Sequence, residues 1–365
     1  MSKISSGQLF TLLLVSSAFS FMCGRGSYSL DAILGTAIGT CIQLLLVIPM
    51  LLLYEKHAFS FSQYAASRKA VPLLFALYGV LMGSSALAQL WDAAGSLHLP
   101  VSTPMLSAAL IAAVCLYTSS LGIKALARSS AVVFGILLVT LVVLLVGAYS
   151  NFQLQFVTRS EEHTLLKSTL HAAANMDLLP MLFLLLDVAG KRRIAGTVGY
   201  LTGSFLLTAL LMFLGMGVLG PLMQQAEFPF FMMTTVSQPL RTQRSDALYI
   251  LVFVMLCVIR ITLFAAMSAH LLGFSFQKLQ GRSTICLGAM LLLAALAAWL
   301  RPWNSVWYLL LPLALVLAVP IWFLLHPANI PSSITSASSA AITRYVFIIT
   351  PFQRGDLSPQ VVYRF

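Results

Sequence analysis

Arg260 is the residue in this sequence that most needs a partner, because its charge lies in the middle of the apolar run Val254–Phe264. It is about 13 residues, or roughly 20 Å, from either end of the predicted helix, too far for its side chain to reach water. A guanidinium at that depth costs about 2.5–3.5 kcal/mol to insert. A carboxylate, carbonyl groups, water or an anionic ligand must offset this cost. The sequence leaves open either a binding site or a purely structural ion pair.

Asp177 is the acid best placed to pair with Arg260, because it lies near the centre of another apolar segment. Lys167, His171 and Asn175 precede it at intervals of four residues, which puts them on one face of a helix. For His171 alone, an interhelical hydrogen bond explains its presence better than ligand binding. Pro180 removes a backbone donor and frees carbonyls nearby. A polar helix that is broken at mid-depth lines a cavity or packs against protein.

Three hydroxyls, those of Ser16, Ser17 and Ser20, fall within the first apolar run. Serine hydroxyls can bond to backbone carbonyls and loosen a helix, so this segment is also predicted to be broken. Close helix packing explains the serines equally well. The candidate ligand-binding residues are therefore Arg260, Asp177, Asn175, Ser16, Ser17 and Ser20.

No pattern typical of catalysis is present in the sequence. It lacks metal-ligand spacing, a nucleophile elbow and a phosphate-binding loop, and its five cysteines form no CxxC pair. We therefore predict neither an enzyme, nor a metal site, nor a cofactor.

The composition places the chain in a lipid bilayer. Of 365 residues, 59% are apolar and only 8% are charged, too few to coat the surface of a water-soluble fold. Soluble enzymes, nucleic-acid-binding modules and disordered scaffolds are excluded. The net charge of +11 does not indicate nucleic acid, because the basic residues cluster in short loops between apolar runs.

Ten transmembrane helices are predicted, at about 8–24, 32–54, 70–91, 99–123, 129–150, 165–189, 194–219, 247–273, 283–300 and 303–325. The first is read as a retained helix rather than a cleaved signal peptide. With both termini cytoplasmic, inside segments carry fourteen basic residues and outside segments six, which fits the positive-inside rule. The outer connection 220–246 is long enough to act as a lid.

The two helices with interruptions, the first and the sixth, each begin a five-helix half of the chain. Interruptions at matching positions predict a 5+5 inverted repeat with a binding site at the membrane midplane. The predicted domain is a ten-helix, all-α, permease-like unit over 1–325, with halves at about 4–150 and 165–325. Gly35 and Gly39, and likewise Gly199 and Gly203, predict close packing of the second helix of each half. Residues 326–365 form a low-complexity tail, predicted to be disordered and cytoplasmic.

Several segments resemble a known family. Ile4–Phe10, Leu30–Ala32, the stretch from Asp177 to the basic turn Lys191–Arg193, and Thr242–Leu248 are together similar to the B subunit of spore germinant receptors. That family, the GerAB-type spore germination permeases, belongs to the amino acid–polyamine–organocation superfamily. Where the family usually has glycines that unwind the first helix, this chain has Ser16–Ser20.

The resemblance implies a small-molecule site among helices 1, 3, 6 and 8. Asp177 matches an acidic residue of the family's sixth helix, and Arg260 matches a basic residue of its eighth. The implied location is the inner membrane of a spore. The implied partners are an A-subunit membrane protein and a C-subunit lipoprotein.

The expected function is binding of a small nutrient, an amino acid, that triggers germination. Arg260 is expected either to hold the ligand carboxylate or to pair with Asp177. The alternative is an autonomous amino-acid transporter, coupled to protons through Asp177.

Overall fold

A computed structural model describes residues 4–23, 28–56, 59–67, 69–96, 104–159, 165–174, 176–189, 192–226, 228–237, 246–276, 283–300 and 307–325. In these ranges the regular structure is helical. One 3₁₀ turn, Leu154–Phe156, accompanies the α-helices, which are α1 (Ser6–Met22), α2 (Leu30–Lys56), α3 (Phe61–Ser67), α4 (Ala70–Ser96), α5 (Pro104–Ser120), α6 (Ile123–Ala148), α7 (Leu165–Ala174), α8 (Leu179–Val188), α9 (Arg193–Leu219), α10 (Leu222–Gln225), α11 (Pro229–Val236), α12 (Asp246–Ser275), α13 (Ser283–Leu300) and α14 (Trp307–Leu325).

The chain is a helical, multi-pass membrane protein. Five helices, α2, α4, α6, α9 and α12, are long and apolar enough to cross a bilayer. Shorter apolar helices occupy the other predicted positions. The outer face of α6 exposes Val132, Val139, Val142 and Val146, each by more than half of its side chain. Such a continuous apolar face is stable against acyl chains but not against water.

The break predicted in the sixth segment is present. This segment consists of two helices, α7 and α8, with α7 ending at Ala174 and α8 beginning at Leu179. Pro180 occupies the first turn of α8, where a missing backbone N–H costs nothing because no acceptor lies within the helix. Asn175 lies outside the described residues.

The break predicted in the first segment is wrong, because α1 runs without interruption from Ser6 to Met22. The Ser16 hydroxyl donates to the Leu12 carbonyl (2.8 Å) and the Ser17 hydroxyl donates to the Leu14 carbonyl (2.9 Å). Both bonds are compatible with helical backbone. The helix also begins with a capping box between Ser5 and Gln8.

The glycine pairs have different roles. A Cβ on Gly35 would lie 2.6 Å from the Ser168 Cβ, and one on Gly39 would lie 2.7 Å from the Ala172 Cβ, so α2 contacts the backbone of α7 directly. The predicted close packing is confirmed there. A Cβ on Gly203 would instead lie 2.9 Å from the ring of Phe10 on α1, so this glycine makes room for that ring.

Three short helices were not predicted. α3 lies in the connection between α2 and α4, and α10 and α11 lie in the connection 220–246. The predicted tail 326–365 lies outside the described residues.

Candidate functional site

Arg260 is buried inside the helix bundle, with 3% of its surface exposed. Its Nη2 forms an ion pair with Oδ2 of Asp177. Its Nη1 donates to the backbone carbonyl of Ser16 at 2.9 Å. The predicted pairing of Arg260 with Asp177 is therefore present, and α12, α1 and the α7–α8 break meet at this point.

Two aromatic rings flank the guanidinium. Its carbon atom lies 5.4 Å from the ring centre of Phe264, one turn further along α12, and 6.0 Å from that of Phe19 on α1. These rings add a favourable cation–π interaction. With 3% of its surface exposed, Arg260 is enclosed by protein.

One donor of Arg260 remains without a partner. Nε and Nη2 share one edge of the guanidinium, the edge that commonly binds both oxygens of a carboxylate. Asp177 takes only Nη2, and the buried Nε has no hydrogen-bond partner among the described residues. Of the two donors on this edge, the described residues therefore bind only Nη2.

Asp177 lies in the break between α7 and α8, with 23% of its side chain exposed. Its Oδ2 also accepts a weak hydrogen bond from the Ser20 hydroxyl at 3.4 Å. Within the described part of the chain, no hydrogen bond reaches its second oxygen, Oδ1. Of the two charged groups, the carboxylate is thus the more accessible.

Tyr78 was missed by the sequence reasoning. It lies on α4, the predicted third helix, and its hydroxyl donates to the backbone carbonyl of Asp177 at 2.5 Å. A fully buried phenol within an apolar segment requires a hydrogen-bond partner, which was the available signal. This bond satisfies a carbonyl at the helix break.

The three serines contribute unequally. Ser20 contacts the carboxylate through its hydroxyl, whereas Ser16 contacts Arg260 through its backbone carbonyl. That carbonyl has two lone pairs and can serve both the helix and the guanidinium. The Ser17 hydroxyl is bonded to its own helix instead. Of the predicted site residues, the structure brings Arg260, Asp177, Ser16 and Ser20 together.

Aromatic rings cover the end of α1 beyond the ion pair. Phe230 of α11 packs against Phe21 (4.7 Å between ring centres) and Tyr28 (5.7 Å). Phe231 packs against Tyr249 of α12 at 5.7 Å. α11, which lies in the connection predicted as a possible lid, therefore contacts α1 and α12, two of the three elements that meet at the ion pair.

No protein-family model matches the chain, and no curated protein matches it either. The function therefore has to follow from the geometry of the Arg260–Asp177 pair and its surroundings.

Proposed function

We propose that the chain binds a small amino-acid nutrient at the Arg260–Asp177 pair. The observation that carries this proposal is the incomplete pairing of the two charged groups. Arg260 keeps one N–H donor, Nε, without a partner, and the Asp177 Oδ1 accepts no hydrogen bond from the described residues. A carboxylate oxygen fits the donor and an ammonium group fits the acceptor.

Charge balance favours a zwitterion over other small ligands. The ion pair is neutral, and it lies in a medium where each additional unpaired charge is costly. A free amino acid adds one positive and one negative group and leaves the site neutral. A simple amine or a simple carboxylate would leave one net charge inside the bundle.

The proposed biological role is the B subunit of a spore germinant receptor. The ligand would stabilise one of two conformations and signal to an A-subunit membrane protein and a C-subunit lipoprotein in the spore inner membrane. The resemblance of the sequence to that family supports this role. The partly accessible carboxylate at a helix break supports binding at this position.

The proposed fold is the ten-helix 5+5 inverted repeat of the amino acid–polyamine–organocation superfamily. The division into α7 and α8 supports it, because this segment begins the second half of the chain. The continuous α1 departs from that pattern, and it is consistent with serines replacing the glycines typical of the family.

Replacing Arg260 with Ala tests the proposed site. We expect the nutrient response of spores to be lost while the protein still inserts and assembles, because the carboxylate-binding donor is removed and Asp177 loses its partner. Germination rates and immunodetection in the membrane measure the two effects. The matched control is Arg128→Ala, which removes an exposed arginine on α6; spores with this variant should germinate normally. A normal response of Arg260→Ala would exclude this residue from the site.

A transporter is the second candidate, favoured by the partial exposure of Asp177 inside the bundle. Intramembrane carboxylates often relay protons in transporters. Uptake of an amino acid by the purified chain in liposomes, without partner subunits, would favour transport. No uptake in liposomes, together with loss of germination after deletion, would favour the receptor.

A further inference from the structure

α8 joins two carboxylates that have different surroundings. Asp177 lies two residues before its start, and Asp187 lies in its last turn. The two carboxylates are ten positions apart in the sequence, about 15 Å at 1.5 Å per residue. Nine of the ten residues of α8 are buried, so the helix has close neighbours along its whole length.

Asp187 caps a helix that belongs to another part of the chain. Its Oδ1 accepts from the backbone N–H of Phe61 at 3.1 Å, and its Oδ2 accepts from that of Ser62 at 3.0 Å. These are the first two amides of α3, which have no acceptor within the helix itself. A carboxylate at this end also interacts favourably with the helix dipole. The position of α3 therefore depends on the position of α8.

The chain directly after α8 makes further bonds of the same kind. The Val188 carbonyl accepts from the backbone N–H of Ile4 at 3.1 Å, and Ile4 and Ala189 form a parallel β-bridge. Arg193 donates from Nε to the Ala189 carbonyl at 3.3 Å. One end of α8 thus holds both α3 and Ile4, which lies two residues before α1.

The middle of α8 is packed against aromatic rings that leave it little freedom to bend. The Phe183 carbonyl accepts from the Tyr54 hydroxyl at 2.7 Å. The Phe183 ring contacts those of Phe59, Phe61 and Phe75 at 5.8–6.1 Å between centres. A close-packed interior transmits displacement rather than absorbing it.

We infer that α8 is a rigid link between the Arg260–Asp177 pair and α3. A change at the pair displaces α8, moves the Asp187 carboxylate away from the amides of Phe61 and Ser62, and loosens α3. The identity of the trigger rests on the proposed function, in which an amino acid occupies the pair. The mechanical coupling between the two carboxylates does not depend on any ligand.

A double-mutant cycle with hydrogen exchange tests the coupling in the purified full chain in lipid nanodiscs, without ligand. The readout is the amide exchange rate of the peptide 59–67. Asp187→Asn should raise this rate about five-fold, because the side chain then offers one acceptor oxygen instead of two and no negative charge to the helix end. Asp177→Asn should also raise it about five-fold despite the distance, within the usual range of coupling between sites. The double variant should exchange more slowly than the product of the two single effects.

The control is Asp31→Asn, which removes a carboxylate on α2 that pairs with Arg159. This substitution should leave the amide exchange rate of the peptide 59–67 unchanged. An effect of Asp187→Asn without any effect of Asp177→Asn would overturn the link, and so would additive effects, which are typical of independent sites. Absence of any effect of Asp187→Asn would show that the charge and second oxygen of Asp187 do not hold α3, which also overturns the link. If Arg260→Ala loses the nutrient response while the two aspartate variants have additive effects on the exchange rate, the proposed site stands and only the link is excluded.

Discussion

At the scale of single residues, the buried cation is held by partners of three kinds. A carboxylate, a backbone carbonyl and two aromatic rings surround Arg260. Together they offset the cost of placing a guanidinium among apolar helices, which neither a carbonyl nor a ring could do alone. Tyr78 acts one step further out, because it fixes the backbone of Asp177 rather than its charge.

Tyr78→Phe should weaken the site without changing its charge. Loss of the hydroxyl leaves the Asp177 carbonyl without this donor, at a cost of about 1–3 kcal/mol for a buried acceptor. We expect a lower melting temperature in detergent and a nutrient response that requires more ligand. Tyr117→Phe, which removes an exposed phenol on α5, should change neither. An unaltered dose response in Tyr78→Phe would show that Tyr78 does not position Asp177 for binding.

At the scale of elements, the contact between α2 and α7 holds one side of the helix break in place. Gly35 and Gly39 bring the two backbones together, and the Gln43 side chain donates to the Ala172 carbonyl at 3.0 Å. That bond satisfies a carbonyl near the end of α7, where the helix offers no donor. The end of α7, and hence the start of the break, is therefore held by α2.

Gly39→Ala should destabilise the protein, although alanine is the better helix former. A Cβ at this position lies 2.7 Å from the Ala172 Cβ and 2.8 Å from the Ala173 nitrogen, so the two helices must move apart. Overpacking of this kind costs about 1–3 kcal/mol. Gly135→Ala, on α6 with open space around the new atom, should be neutral or stabilising by about 0.5–1 kcal/mol. Thermal unfolding in detergent compares them, and equal melting temperatures would contradict the close contact.

The sequence predicts elements better than it predicts their partners. Apolar runs locate the helices, because length and hydropathy are local properties. Pro180 makes the break between α7 and α8 predictable, whereas Ser16 and Ser17 are compatible with either a bent or a straight helix, and the prediction for α1 was wrong. Tyr78 bonds to a residue 99 positions away in the sequence, and Asp187 bonds to one 126 positions away. Such pairings depend on the packing of helices and leave no local pattern.

At the scale of the whole molecule, the distribution of basic residues predicts one orientation in the membrane. The inner loops are predicted to contain α3 and the turn before α9, and the outer ones the 3₁₀ turn Leu154–Phe156 and the connection with α11. This arrangement would place the Asp187 contacts on the cytoplasmic side and the aromatic contacts of Phe230 on the opposite side.

Cysteine labelling in a cysteine-free background measures this orientation. Gln155 and Glu55 are both exposed; Gln155 lies in the connection after α6 and Glu55 in the last turn of α2, on opposite sides of the predicted membrane. In intact cells, a membrane-impermeant maleimide should label Gln155→Cys, and it should label Glu55→Cys only after permeabilisation. The reverse pattern would invert the orientation. Labelling of both in intact cells would contradict the number of crossings between them.

The first and sixth predicted segments differ in a way that limits how the bundle can deform. α1 is a continuous rod from Ser6 to Met22, whereas the other is jointed between Ala174 and Leu179. Of these two segments only the sixth is interrupted, so bending of the bundle should occur between α7 and α8. Substitutions that change the rate of this movement should therefore cluster near Leu179, whereas substitutions at the buried apolar side chains of α1 should act through packing and lower the stability instead.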